Sequence, residues 1–299
     1  MNNNDPSATL TGLETIRGGT RVCAVIGDPI EHTISPIIHN AAFRSLDMDF
    51  VYVAFQVRGN ELERAIKGMT ALEIVGLNVT RPHKTSVMRF LDAVEGTARR
   101  IGAVNTIVRS GNKLRGYNTD GQAAMEVLSK MSGPLSGKKV VILGAGGAAR
   151  SIAYYLSKTV NEMSILNRTR AKASRLAREV MTYSGIRCRA DPLNTTCLRE
   201  EAAHGDIIVN TLPVDVFPIF AETLIQESLI RTGMVVFDAN YHQTDDFLPR
   251  AQQAGAKVSD GLEMLVGQAA LSFELWTGRT APIDTMREAA LGARRARAR

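Results

Sequence analysis

The stretch Lys138-Lys139-Val140-Val141-Ile142-Leu143-Gly144-Ala145-Gly146-Gly147-Ala148-Ala149-Arg150 reads as a strand, a tight turn and the start of a helix. Its apolar, β-branched run suits a strand buried on both faces. Ile152, Ala153, Leu156 and Val160 then fall on one side of a helix. Gly144 permits a turn that a Cβ would hinder. Gly146 lets the backbone approach a pyrophosphate, and Ala149 lets helix and strand pack closely. The helix N-terminus offers N–H groups and a positive dipole end to phosphate. A glycine-rich turn in any α/β domain can carry the same letters. The strand before it and the helix after it favour a dinucleotide site.

The next strand selects the dinucleotide. Glu162-Met163-Ser164-Ile165-Leu166 ends at Asn167-Arg168-Thr169, with Lys172 close behind. An NAD site usually places Asp or Glu there, on the ribose 2′-hydroxyl. No carboxylate is available here. Arg168, Thr169 and Lys172 can instead hold a 2′-phosphate through charge-assisted hydrogen bonds. A solvated basic turn is the alternative; the reading taken is NADP.

A chain of 299 residues suggests about two domains. Apolar residues at 44% and charged residues at 22% are ordinary for a globular protein. Aromatics at 5% argue against a nucleic-acid stacking surface. The net charge is +6, but Arg294, Arg295, Arg297 and Arg299 supply four of those charges, so the body is near neutral and no nucleic-acid partner is expected. Cys23, Cys188 and Cys197 form no metal-binding spacing, which fits a reducing, cytoplasmic compartment. His32, His39, His83, His204 and His242 share no metal pattern, so no metal is assigned. No apolar run reaches the ~20 residues that span a bilayer, and residues 1–20 read as a flexible leader.

Along the chain, strands and helices alternate. Val22–Ile26, Phe50–Phe55 and Ile74–Val79 read as strands, with helices from Pro36 to about Leu46 and from Glu61 to Met69. A helical piece to about Leu91, a strand over Gly102–Val108, a turn at Gly111-Asn112 and a short strand follow. The alternation implies an α/β layer with a mainly parallel sheet. After a helix from Asp120 to Leu128 comes the glycine-rich unit. Four more strand candidates, Ile186–Arg189, Asp206–Val209, Met234–Phe237 and Ala256–Val258, complete a six-strand doubly wound domain. A long helix then runs from near Gly261 to Trp276.

Nicotinamide chemistry transfers hydride, and a carbonyl that accepts hydride needs a proton donor. The Tyr-xxx-Lys of short-chain reductases is not evident. Lys84 is the candidate, held past a strand end by Asn78-Val79-Thr80-Arg81-Pro82. Taken alone it would be a solvated surface lysine. Thr33, Ser35, Asn105 and Asp120 also sit at strand ends, where parallel sheets place ligands. That inventory suits a small polyhydroxylated substrate.

The chain resembles the shikimate dehydrogenase family from about residue 22 to 277. The motifs are Gly27-Asp28-Pro29-Ile30-Glu31-His32-Thr33-Ile34-Ser35-Pro36 with His39-Asn40, and Gly76-Leu77-Asn78-Val79-Thr80-Arg81-Pro82-His83-Lys84. Gly102-Ala103-Val104-Asn105-Thr106, Tyr117-Asn118-Thr119-Asp120-Gly121, the glycine loop, Asn167-Arg168-Thr169 and Met264-Leu265-Val266-Gly267-Gln268 follow in family order. The resemblance implies reversible reduction of 3-dehydroshikimate to shikimate with NADP(H), in aromatic amino-acid biosynthesis. It implies a substrate-binding domain of residues 21–119 and 260–299, with a Rossmann domain of residues 120–259 inserted and the active site in the cleft. Lys84 and Asp120 would be the acid–base pair. Thr33 and Ser35 would bind the substrate carboxylate with Tyr241 assisting, and Thr80, Asn105, Asp120 and Gln268 the ring hydroxyls. The loop Gly144, Ala145, Gly146, Gly147 and Ala148, then Asn167, Arg168, Thr169 and Lys172, would hold NADP, with Gly261 at the nicotinamide end. The expected assembly is a monomer or homodimer.

Three departures from the family pattern stand out. Thr33 replaces the usual Ser and adds a methyl near the carboxylate site. Asn210-Thr211-Leu212-Pro213-Val214-Asp215 lacks the usual glycine, and Tyr241-His242-Gln243-Thr244-Asp245-Asp246 lacks the usual proline. The rival readings are a quinate/shikimate dehydrogenase with relaxed substrate or cofactor choice, a folate-directed NADP oxidoreductase, and a non-catalytic NADP-binding sensor.

Overall fold

The computed structural model describes residues 16–241 and 246–297. Of the expected leader, residues 1–15 lie outside the described residues. Residues 16–20 close a turn, and Thr20 Oγ1 donates to Asp49 Oδ1 at 2.7 Å.

The first half builds β1 (Arg21–Gly27), α1 (Ser35–Ser45), β2 (Phe50–Gln56), α2 (Leu62–Ala71) and β3 (Gly76–Val79). The three strands are parallel, with Cys23 between Tyr52 and Gly76. Next come a 3-10 turn over Ser86–Phe90, β4 (Ala93–Val94), α3 (Gly96–Ile101), β5 (Thr106–Ser110) and β6 (Lys113–Tyr117). The sheet runs β2-β1-β3-β5-β6-β4. It is mixed rather than mainly parallel, because β5 and β6 form an antiparallel hairpin around Gly111-Asn112, and a two-residue turn joins only antiparallel neighbours.

Gly102 does not begin a strand, as its apolar context suggested. It caps α3 at φ +71°, and Glu95 caps the other end by accepting from the N–H groups of Thr97 and Ala98. The strand starts only at Thr106.

The second half is α4 (Asp120–Ser132), β7 (Lys139–Leu143), α5 (Gly147–Leu156), β8 (Glu162–Asn167), α6 (Arg170–Ser184), β9 (Arg187–Pro192) and α7 (Thr195–Ala202). It continues with β10 (Ile207–Asn210), α8 (Pro218–Gln226), β11 (Val235–Asp238), α9 (Phe247–Gln253) and β12 (Lys257–Ser259). All six strands are parallel, in the order β12-β11-β10-β7-β8-β9, as the doubly wound reading expected. The order turns back between β7 and β10, the point at which such sheets take ligands.

The chain then returns to the first sheet. In α10 (Leu262–Thr277) and α11 (Ile283–Arg297), Val266, Ala269, Phe273, Trp276, Met286 and Ala290 join Cys23, Ile34, Ile38, Phe43 and Tyr52 in one core. Each large side chain fully buried there contributes roughly 1.5–3 kcal/mol. Trp276 lies over the bare backbone of Gly76, where an added Cβ would fall 2.3 Å from its ring, and its Nε1 donates to Ile107 O at 3.0 Å.

Candidate active site

Lys84 stands on a loop fixed from both sides. The ring of His83, 1% exposed, hydrogen-bonds Val57 O through Nε2 at 2.6 Å. The carbonyl of Lys84 itself accepts from Val104 N at 2.7 Å. Its side chain crosses to α4, where Nζ donates to Asp120 Oδ2 at 2.6 Å. The two side chains are only 19% and 5% exposed, so water screens the pair weakly. Asp120 opens α4, which sets its carboxylate at the positive end of the helix dipole. Asn105 Nδ2 donates to the other oxygen, Asp120 Oδ1, at 2.8 Å, and lies 3.3 Å from Gln268 Oε1. Lys84, Asp120, Asn105 and Gln268 therefore form one connected cluster, drawn from four elements far apart in sequence.

A second group sits at the start of α1. Thr33 Oγ1 donates to Ser35 Oγ at 3.2 Å and accepts from Ser35 N at 3.3 Å. Tyr241 reaches them: its hydroxyl hydrogen-bonds the Thr33 side chain, and burial pushes its phenol above the ordinary range. Residues 242–245 of that motif lie outside the described residues. Thr80 does not join the Lys84 cluster. Its methyl packs towards Gly27, where an added Cβ would lie 2.4 Å away.

The glycine loop meets the lysine directly. An added Cβ on Gly147 would lie 2.9 Å from Lys84 Cβ, so the first residue of α5 packs on the lysine stem. Gly144 takes φ +113°, and a Cβ there would be 2.3 Å from Thr211 Oγ1. Gly146, the N-cap of α5, has no side-chain cap and faces open space. A bare backbone, unpartnered helix N–H groups and room beside them are what a pyrophosphate requires. Arg168, Thr169 and Lys172 are all exposed, and no Asp or Glu occurs from residue 163 to 178. Asn167 Nδ2 donates to Thr169 O at 3.0 Å and shapes that turn. The residues present therefore fit a phosphorylated dinucleotide. Gly261 is required by packing, since a Cβ would lie 2.3 Å from Ala239 O.

The loop that lacks the usual glycine is ordered by side chains instead. Asn210 Oδ1 accepts from Leu212 N at 3.0 Å, and Asn240 Nδ2 donates to Leu212 O at 2.9 Å. Both asparagines also donate to Asp238 Oδ1, at 3.0 and 2.8 Å.

Comparison with known proteins agrees with this layout. Residues 25–107 match the family model described as shikimate dehydrogenase substrate binding domain. Residues 126–239 match shikimate / quinate 5-dehydrogenase, and residues 261–291 the shikimate 5'-dehydrogenase C-terminal domain. The shikimate dehydrogenase (NADP(+)) of Methanopyrus kandleri is 42% identical over 277 residues, which covers 91% of this chain and 95% of that protein. The chain belongs to the shikimate dehydrogenase family. A crystal structure of a shikimate dehydrogenase in complex with NADP+ superposes with a TM-score of 0.82 at 38% identity, covering 93% of this chain and 96% of that one. Shikimate 5-dehydrogenase from Listeria monocytogenes, in complex with shikimate and NAD, gives a TM-score of 0.82 at 34% identity, covering 92% and 98%.

Within this family's layout, residue reading missed several groups. Thr106 and Thr119 lay inside quoted motifs but carry hydroxyls with many possible uses. Both contact the amide of Asn105. Ser272 stands four residues after Gln268 on α10, and that helical spacing was the available clue. Thr211, whose Oγ1 donates to Leu143 O at 2.7 Å, roofs the glycine turn. Among the described residues no cluster suited to a metal occurs, and no helix is long and apolar enough to cross a membrane.

Proposed function

We propose that this chain catalyses the reversible, NADP-dependent reduction of 3-dehydroshikimate to shikimate. The observation that carries the reading is the Lys84–Asp120 pair seated against Gly147, the first residue of the dinucleotide loop's helix. NADPH, when bound, supplies the hydride. The residues of the chain do the rest. The Lys84 ammonium gives a proton to the oxygen that gains charge, and takes it back in the reverse direction. Asp120 orients that ammonium and accepts from a substrate hydroxyl. Asn105 and Gln268 take further ring hydroxyls, and Thr33, Ser35 and Tyr241 take the carboxylate. Glycine-loop N–H groups hold the pyrophosphate, and Arg168 and Lys172 hold the 2′-phosphate. We divide the chain into a substrate domain of residues 21–119 and 260–299 and a cofactor domain of residues 120–259. The family matches to residues 25–107, 126–239 and 261–291 support that division. The unpaired Cys23, Cys188 and Cys197 support a reducing compartment.

The test is a steady-state comparison of shikimate and quinate, each with NADP+ and NAD+. Shikimate with NADP+ should give the highest kcat/KM. NADP+ should lead NAD+ by at least about tenfold, because a charge-assisted phosphate contact contributes ~1.5–3 kcal/mol. Arg168→Ala should raise KM for NADP+ and leave NAD+ kinetics unchanged. Equal losses with both cofactors would refute the 2′-phosphate assignment, and comparable turnover of quinate would refute the substrate assignment.

A further inference from the structure

Asp120 is oriented by Asn105, and the structure shows what orients Asn105. Four buried side chains close a ring of hydrogen bonds. Asn105 Nδ2 donates to Thr119 Oγ1 at 2.8 Å. Thr119 Oγ1 lies 3.3 Å from Ser272 Oγ, Ser272 Oγ lies 2.8 Å from Thr106 Oγ1, and Thr106 Oγ1 donates to Asn105 Oδ1 at 3.0 Å. Asn105 and Thr119 are 2% and 4% exposed, while Thr106 and Ser272 are wholly buried.

Giving the Thr106 proton to Asn105 Oδ1 sets one direction around this ring. Thr106 has one hydroxyl proton, and Asn105 Oδ1 takes it. The 2.8 Å contact between Ser272 and Thr106 then needs the Ser272 proton, which that hydroxyl shares with Gln268 O at 2.9 Å. Thr119 in turn donates to Ser272. Within the ring each member then donates to the next, with the Ser272 proton divided between Thr106 and Gln268 O, a closed arrangement in which each bond polarises the next. Two further donors hold it from outside. Thr119 N donates to Asn105 Oδ1 at 2.8 Å. Asn78 Nδ2 lies 3.2 Å from Thr106 Oγ1 and 3.1 Å from Ser272 Oγ, with its own Oδ1 fixed by Tyr52 at 2.6 Å.

The consequence falls on one amide. With both acceptor positions of Asn105 Oδ1 filled by Thr119 N–H and Thr106 O–H, the amide cannot flip. One Nδ2 proton enters the ring, and the other points at Asp120 Oδ1 at 2.8 Å. We propose that Thr106 and Ser272 are positioning residues for the reaction. Their ring locks the Asn105 amide, and through it the Asp120 carboxylate that aligns Lys84. This proposal rests on the catalytic reading of Lys84 and Asp120 given above.

Thr106→Val tests it, because valine keeps the shape and removes only the hydroxyl. Thr106→Ser restores the hydroxyl and serves as the rescue. The first readout is exchange of the Asn105 side-chain amide protons, followed by NMR on the uniformly 15N-labelled full chain. Exchange should speed by roughly tenfold or more in Thr106→Val, and stay near the wild-type rate in Thr106→Ser. The second readout is steady-state oxidation of shikimate with NADP+. Thr106→Val should lower kcat by about tenfold and raise KM as well, since Asn105 and Asp120 are also assigned to ring hydroxyls, and Thr106→Ser should restore both. In an Asp120→Asn background, adding Thr106→Val should change kcat by less than about twofold, because both act through one carboxylate.

Unchanged amide exchange in Thr106→Val overturns the ring. Changed exchange with unchanged kcat overturns its role in catalysis. The exchange readout needs no turnover, so an enzyme that ignores shikimate would refute the substrate reading and leave the ring decided on its own evidence. Should Thr106→Val fail to fold, Ser272→Ala opens the same ring from α10 and is read in the same way.

Discussion

Lys84 reaches Asp120 Oδ2 at 2.6 Å while its stem rests on Gly147, so one side chain joins the proposed proton donor to the glycine loop. If the ammonium protonates the oxygen as hydride arrives, its interaction is strongest in the transition state. Lys84→Ala should therefore lower kcat by about 10²–10⁴-fold and raise KM far less. Asp120→Asn should damage both constants, since that carboxylate is also proposed to accept from a substrate hydroxyl. The double variant should be little worse than Lys84→Ala alone. A Lys84→Ala enzyme with near-normal kcat would assign the proton to another group. At this scale the sequence was legible where chemistry is scarce. A lysine, a carboxylate and an asparagine at strand ends have few reasons to be there. Thr106, Thr119 and Ser272 were not legible, because a threonine or serine serves turns, caps and helices equally well.

Among the elements, the turn from β7 into α5 carries the most constraint. Two of its positions lack a side chain for different reasons, a positive φ at Gly144 and the Lys84 stem at Gly147, while Gly146 faces open space. Gly147→Ala isolates the second. Its Cβ would lie 2.9 Å from Lys84 Cβ and 3.0 Å from Cδ, tighter than a relaxed contact, and since a Cβ moves only with its backbone the Lys84 loop must shift with the side chain. The expected result is a kcat lower by roughly tenfold, as a displaced catalytic group implies, with a thermal midpoint within a few degrees of wild type. A lost midpoint with preserved kcat would show that the α5 backbone yields instead. This strand-turn-helix unit was readable because period, glycine spacing and length all agree. α3 was not. Six residues, Gly96–Ile101, are too few for a hydrophobic period to emerge, and its closing Gly102 begins an apolar run that imitates a strand. The 3-10 turn over Ser86–Phe90 was read as a longer helical piece for the same want of length.

For the whole molecule, the six-stranded parallel sheet followed from the even alternation of its apolar runs, whereas the mixed first sheet depended on a hairpin and on two helices that arrive from the far end of the chain. Those helices bury His39, which is wholly inaccessible, stacks on Tyr52 at 4.3 Å and has, among the described residues, no hydrogen-bond partner for either ring nitrogen. Burial lowers its pKa from 6.5 to about 3. Between those two values the unfolded chain binds a proton that the folded chain refuses, so stability falls as pH drops through this window. The slope from this residue reaches ~1.4 kcal/mol per pH unit. His39→Phe should flatten that dependence, and the difference in thermal midpoint between variant and wild type should grow steadily from pH 7 to pH 4.5. A constant difference would show that the ring titrates elsewhere. The return of α10 and α11 has a consequence for biosynthesis. A ribosome delivers β1, α1 and β2 first, but Phe273, Trp276 and Met286, which fill the core beneath them, emerge almost last. The later sheet, complete once β12 appears at Lys257–Ser259, can fold on the nascent chain while the earlier one still waits. One face of the earlier sheet packs from its own half, so the face that α10 and α11 cover is the one completed last and the one a chaperone would need to guard longest.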